Sequence, residues 1–157
     1  MARVPNKTEN KLRIACCVLY ITQIFFLTEN YASYYNQNTN ELIDSDSCFF
    51  MVYRSIVAGS AQLSVFSIIL VLVPVLGFFV FAFDKSRNIK NVYGALSSFL
   101  AVFLILNIIG LGNADGDLVT SIGFGAVMAI ILYIPIVFLS VMGMFARNLV
   151  PNDKNKK

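Results

Sequence analysis

No histidine and no tryptophan occur among the 157 residues, cysteine appears three times, and only 13% of the side chains are charged. Without imidazole the chain lacks the commonest ligand for a metal or haem and the usual general base near neutral pH. Three cysteines build no disulfide framework. A glycine-rich phosphate loop, a pair of metal ligands and a serine set against a recognisable base are missing too, so neither enzyme chemistry nor a cofactor or resident metal is expected. The basic residues are scattered beside apolar runs instead of forming one stripe, and no nucleic-acid partner is expected either.

What is abundant is apolar. Hydrophobic residues make up 57% of the chain and the mean hydropathy is +0.71, well above soluble domains. Residues 64–83, SVFSIILVLVPVLGFFVFAF, carry no ionisable side chain and are followed by Asp84, Lys85, Ser86 and Arg87. At about 1.5 Å per residue, a helix of this length covers a bilayer core about 30 Å thick. Pro74 in its middle removes one backbone hydrogen bond and predicts a kink unless a neighbour satisfies the freed carbonyl.

Three further segments read as spans. Residues 14–27, IACCVLYITQIFFL, follow a basic lead at 1–13 that holds Arg3, Lys7, Lys11 and Arg13 against Glu9. A short apolar run behind a basic lead also describes a signal peptide, but Asn30-Tyr31-Ala32-Ser33 is a poor cleavage zone, and a retained helix over about 12–31 is expected. Cys16 and Cys17 read as small buried thiols, with palmitoylation near the inner face as the alternative. The other spans are expected at 55–83, 92–111 and 119–144, with Pro135 inside the last. Counted from Phe49 on to Phe83, the apolar region is too long for one perpendicular helix. Either the second helix projects past the headgroups, or its start lies in the interface and Arg54 snorkels. Residues 32–54 form the long outer loop, rich in Asn, Tyr and acids, and Cys48 in it is expected to be an unpaired thiol. Asn113, Asp115 and Asp117 lack the closing Glu of a calcium loop and read as a hairpin turn. A basic tail at 147–157 is expected to be disordered.

Eleven basic residues (Arg3, Lys7, Lys11, Arg13, Lys85, Arg87, Lys90, Arg147, Lys154, Lys156 and Lys157) fall on one side of this topology, and only Arg54 of the 12 falls on the other. The positive-inside rule then places both termini in the cytoplasm. The fold expected is an all-α integral membrane protein of four transmembrane helices arranged as two hairpins, its membrane domain covering 14–146. Abundant Asn, Ile and Lys point to an AT-rich bacterial genome, and so to a bacterial plasma membrane.

Small residues recur at helical spacing. Ser60, Ser64 and Ser67 on the second helix, Gly94 and Ser98 on the third, and Gly125 and Ala129 on the fourth mark faces for close helix packing, since helices in lipid associate by contact more than by burial. Gln23, Gln62, Asn107 and Ser121 all fall in the outer half of the bilayer. They either bond helix to helix or line an outward-facing polar pocket. Two functions follow. The first is a non-catalytic accessory, assembly or protective subunit acting through helix contacts on a membrane-protein partner or a second copy. The alternative is a small-molecule or lipid binding or transport module built on the polar cluster, working as an oligomer within the lipid bilayer.

The orientation is open to direct measurement. In a chain stripped of its native thiols, an impermeant maleimide added to intact cells should label Asn38→Cys and Ala114→Cys and spare Ser86→Cys and Asn155→Cys. Labelling of Ser86→Cys from outside reverses the topology.

Overall fold

A computed structural model describes residues 7–83, 87–112 and 118–145. The chain is mostly helical, and three of its helices are long and apolar enough to cross a membrane: Ala61–Phe83, Asn88–Ile108 and Phe124–Phe145. The elements run α1 (Lys7–Phe26), β1 (Asn30–Asn36), β2 (Leu42–Ser47), α2 (Cys48–Val57), α3 (Ala61–Phe83), α4 (Arg87–Gly112), β3 (Leu118–Ile122) and α5 (Phe124–Phe145). The four longer helices close a ring in which α1 packs on α3 and α5, and α4 packs on the same two. α1 is as long as a span, but Lys7, Glu9, Lys11 and Arg13 occupy its first turns and leave residues 14–26 uncharged.

Three boundaries depart from those expected. The helix expected over 55–83 is two helices, because α2 ends at Val57 and α3 begins at Ala61. Gly59 adopts φ +70, its N–H reaches the Ile56 carbonyl, and the Ser60 N–H reaches the Ser55 carbonyl. Those two bonds are the Schellman ending, which suits a residue without Cβ. The outer loop at 32–54 and the first residues of the span at 119–144 instead supply a three-stranded antiparallel sheet of order β2-β1-β3. β1 faces β3 with Ala32 opposite Ile122, Ser33 opposite Ser121 and Asn36 opposite Leu118. β1 also faces β2, with irregular steps after Asn30 and Tyr34. α1 accordingly stops at Phe26, short of the expected residue 31. Asn113, Asp115, Asp117 and the basic tail lie outside the described residues.

Contacts between helices set their relative heights. A Cβ at Gly77 would lie 2.5 Å from the Tyr20 ring, and one at Gly125 would lie 2.7 Å from the Phe26 carbonyl oxygen. Gln23 donates to the Ala129 carbonyl at 2.8 Å. With Tyr20 level with Gly77, the end of α1 at Phe26 is level with about Val71, so the first part of α3 rises about 15 Å past α1 at about 1.5 Å per residue. The sheet caps the shorter α1 and α5, and α2 lies alongside the protruding part of α3. The core is continuous through the ring, from Cys16 and Phe81 through Tyr20 and Leu104 to Tyr133, Tyr31 and Met51.

The small faces occupy these contacts to different degrees. Ser67, Gly94, Ser98, Gly125 and Ala129 are buried, Ser64 is half-buried, and Ser60 is exposed on the turn before α3. The hydroxyls of Ser64, Ser67 and Ser98 donate to carbonyls of their own helices, which satisfies them without a partner across the interface. Because the atoms met at Gly125 are backbone and cannot move aside, Gly125→Ala should lower stability by about 1–3 kcal/mol. A thermal melt in detergent beside Leu132→Ile, which should change little, checks it.

Candidate functional site

The four polar residues expected to converge have separate partners. Gln23 is buried and bonds across to α5 as described, which is the helix-to-helix role. Asn107 turns back on its own helix, donating to the Phe103 carbonyl at 2.8 Å. Gln62 is exposed in the first turn of α3, and Ser121 sits half-buried in β3 opposite Ser33. None of the hydrogen bonds these side chains make joins one of them to another.

Among the described residues the densest charged constellation lies instead between the sheet and α2. β-strand side chains alternate, so Asp44 and Asp46, two apart on β2, share one face. That face meets α2, whose start is fixed by Ser47 accepting from the Phe50 N–H at 3.2 Å and by the Cys48 N–H bonding the Leu27 carbonyl. Two turns on, Arg54 reaches back. Its Nη2 pairs with Asp44 Oδ2 at 2.5 Å and its Nη1 lies 3.0 Å from Asp46 Oδ2. The guanidinium also stands 5.7 Å from the Tyr34 ring centre and 5.3 Å from that of Phe50, within cation–π range. Arg54 therefore does not snorkel alone, because its charge is met on the protein.

The two carboxyls have opposite electrostatics. Asp44 is open to water and held below the usual carboxylate range by the Arg54 hydrogen bond. The Asp46 side chain is 0% exposed, and neither of its oxygens has an aligned hydrogen-bond donor among the described residues. Burial pushes its pKa up, and the nearby guanidinium offsets only part of that. Burial, with the negative charge of Asp46, raises the Tyr34 hydroxyl to about 12. The arrangement is an electrostatic latch between sheet and helix. It holds no nucleophile set against a base, and its chemistry is ion pairing.

A second pair marks the opposite end of the bundle, where Lys90 Nζ on α4 lies 3.0 Å from Glu9 Oε1 on α1. Lys90 is buried there, with buried Asn91 beside it on the same helix. In the sequence Lys90 reads only as a cytoplasmic charge, and its separation from Glu9 along the chain leaves no local signal of the pairing. Comparison with protein-family models, with curated proteins and with solved structures finds no match to this chain.

The latch yields a signed prediction. Arg54→Gln removes the counter-charge of a buried carboxylate and should cost about 1–3 kcal/mol or more at pH 7. Asp46 with its raised pKa is most stable when protonated, so that loss should shrink as pH falls through its folded pKa toward the usual carboxylate range. Adding Asp46→Asn should restore much of the stability at pH 7 and flatten the pH dependence. Chemical or thermal melts of the three variants between pH 4 and 8 provide the check.

Proposed function

We propose that this chain is a four-span membrane subunit with both termini in the cytoplasm, acting as a non-catalytic accessory, assembly or protective protein through its helix surfaces and its sheet-and-helix cap. In this reading α1 is the fourth span. Its uncharged part is short for a bilayer, and its closure of the ring against α3 and α5 supports counting it. The separation of charge supports the orientation, since Lys11, Arg13 and Lys90 sit at one end while Arg54 at the other is balanced by Asp44 and Asp46.

The observation that carries the functional reading is where the polar groups of the bundle turn. Gln23 bonds α5, the Tyr20 hydroxyl meets Ser97 Oγ at 3.3 Å, the Tyr93 hydroxyl donates to the Val73 carbonyl, and Ser67 and Ser98 bond carbonyls of their own helices. The three contacts between helices hold the ring together, each worth about 0.6–2 kcal/mol in lipid. Large apolar side chains, Phe79, Phe99, Phe103, Ile134 and Phe138 among them, point outward. That is the surface on which lipid and other membrane helices meet the protein.

Purification from native membranes in mild detergent should yield a stoichiometric membrane-protein partner or a defined homo-oligomer, and the purified chain in liposomes should show no saturable uptake. Saturable uptake that Gln62→Leu or Asn107→Leu abolishes at unchanged melting temperature would replace this reading with the transport one.

A further inference from the structure

α2 turns most of its large apolar residues outward. Cys48, Met51 and Ser55 are buried against the rest of the protein, whereas Phe50, Tyr53, Ile56 and Val57 are exposed, Tyr53 to 63% and Val57 to 69%. A helix whose outer side meets water shows the reverse distribution. Its one charge, Arg54, is met by two carboxylates and two aromatic rings.

Depth points the same way. The reversal at Gly59 folds α2 back along α3, so that Phe49 and Val52 line a groove of about 170 Å³ with Ile68, Val71 and Leu72. Those three residues lie within the apolar span of α3, where Val65, Ile68 and Leu72 are exposed on its outer side. The outward face of α2 is thus continuous with the lipid-contact surface of a spanning helix. Several terminal backbone groups of α2 are met within the protein, through its Ser47 cap, the Cys48 N–H bond to the Leu27 carbonyl and its Schellman ending, which lowers the cost of immersion.

We propose that α2 lies in the bilayer leaflet at the sheet end of the protein, its Phe50, Tyr53, Ile56 and Val57 side among phospholipid acyl chains, and that one acyl chain runs in the groove between α2 and α3. Arg54 enters the leaflet already paired with two carboxylates, and the Tyr53 hydroxyl can reach toward the headgroups from a ring held among the chains. The leaflet at this end holds α2 beside the ring helices, so the protein is wider there than in the opposite leaflet. The inference concerns only which surfaces touch lipid, and holds whichever way the protein faces.

The chain has no tryptophan, so one introduced residue reports cleanly. The full protein carrying Tyr53→Trp, Phe49→Trp or Gln37→Trp, each at an exposed position, is reconstituted in phosphatidylcholine vesicles with or without bromine on the acyl chains. Tyr53→Trp and Phe49→Trp should emit to the blue of Gln37→Trp, lose at least half of their emission to brominated chains, and be shielded from aqueous acrylamide. Gln37→Trp, on the turn between β1 and β2, should show the opposite. Emission of Tyr53→Trp like that of Gln37→Trp would place α2 in water and overturn the proposal. Tyr53→Trp quenched by neither agent would mean that protein covers this face, a second copy included, and would overturn it too. Bromine quenching of Tyr53→Trp but not of Phe49→Trp would refute the acyl chain in the groove. Melting temperatures close to that of the unsubstituted protein establish that each variant is folded.

Discussion

The pairing of β1 with β3 is the constraint on which the other elements depend. These strands come from connections about half the chain apart, yet they run side by side with Ala32 opposite Ile122 and Tyr35 opposite Val119, and the Gly123 N–H continues the contact to the Tyr31 carbonyl. β1 follows α1 directly and β3 precedes α5 directly, so the ladder fixes where both helices stop. An open sheet edge is not tolerated in hydrocarbon, because its free N–H and C=O groups find no partner there. The edges of the sheet must therefore face water, headgroups or covering protein, and α2 packs against β2 and β1. The first part of α3 runs on past the end of α1 within its own apolar span, and α2 folds down over its flank.

Below the sheet the ring is held by close approach and by bonds that do not need water. Gly77 leaves room for the Tyr20 ring and Gly143 for the Asn91 side chain, so the helices close around side chains seated directly against glycine. Ion pairs sit at both ends of this dry region. Lys90 with Glu9 joins α1 to α4 at one end, and Arg54 with Asp44 and Asp46 joins α2 to the sheet at the other. The first pair is the more buried, which makes it costly to break and of modest net value to stability. Both pairs fix register between elements that apolar contacts alone would allow to slide.

Much of this is legible in the residues, and the part that is not has identifiable causes. The runs in α3, α4 and α5 announce themselves because an uncharged stretch as long as a bilayer is wide is rare in chains that fold in water. The small faces at Gly94, Ser98, Gly125 and Ala129 are readable by spacing, and all four are buried. The sheet is hidden. NYASYYN and LIDSDS are short and polar, lack a sustained alternation, and in β1 three consecutive residues are buried. Their pairing with LVTSI is a long-range event that no local propensity encodes. The break between α2 and α3 is masked by apolar residues on both sides of Ala58-Gly59-Ser60, although Gly59 beside a serine is an available stop signal. The latch on Arg54 leaves a fainter trace, since Asp44 and Asp46 stand at strand spacing ahead of the one basic residue on that side. Reading residues 32–54 as irregular loop removes the reason to look for it. The polar set of Gln23, Gln62, Asn107 and Ser121 shares a depth in the sequence, and depth alone does not bring side chains together around a ring.

The ladder between β1 and β3 can be tested without reference to function. Facing residues of an antiparallel pair have Cα atoms about 4.5–5.5 Å apart, within the span of a disulfide. Ser33 and Ser121 face one another, and serine to cysteine is a small change. In a chain whose Cys16, Cys17 and Cys48 are replaced by alanine, Ser33→Cys with Ser121→Cys should oxidise to an intramolecular disulfide in nearly all molecules, seen as a reductant-sensitive mobility shift. Ser33→Cys with Leu118→Cys, which is out of register, should not. A pair at 33 and 121 that stays reduced, or that oxidises no better than the out-of-register pair, would contradict the sheet and with it the account of how the bundle is closed.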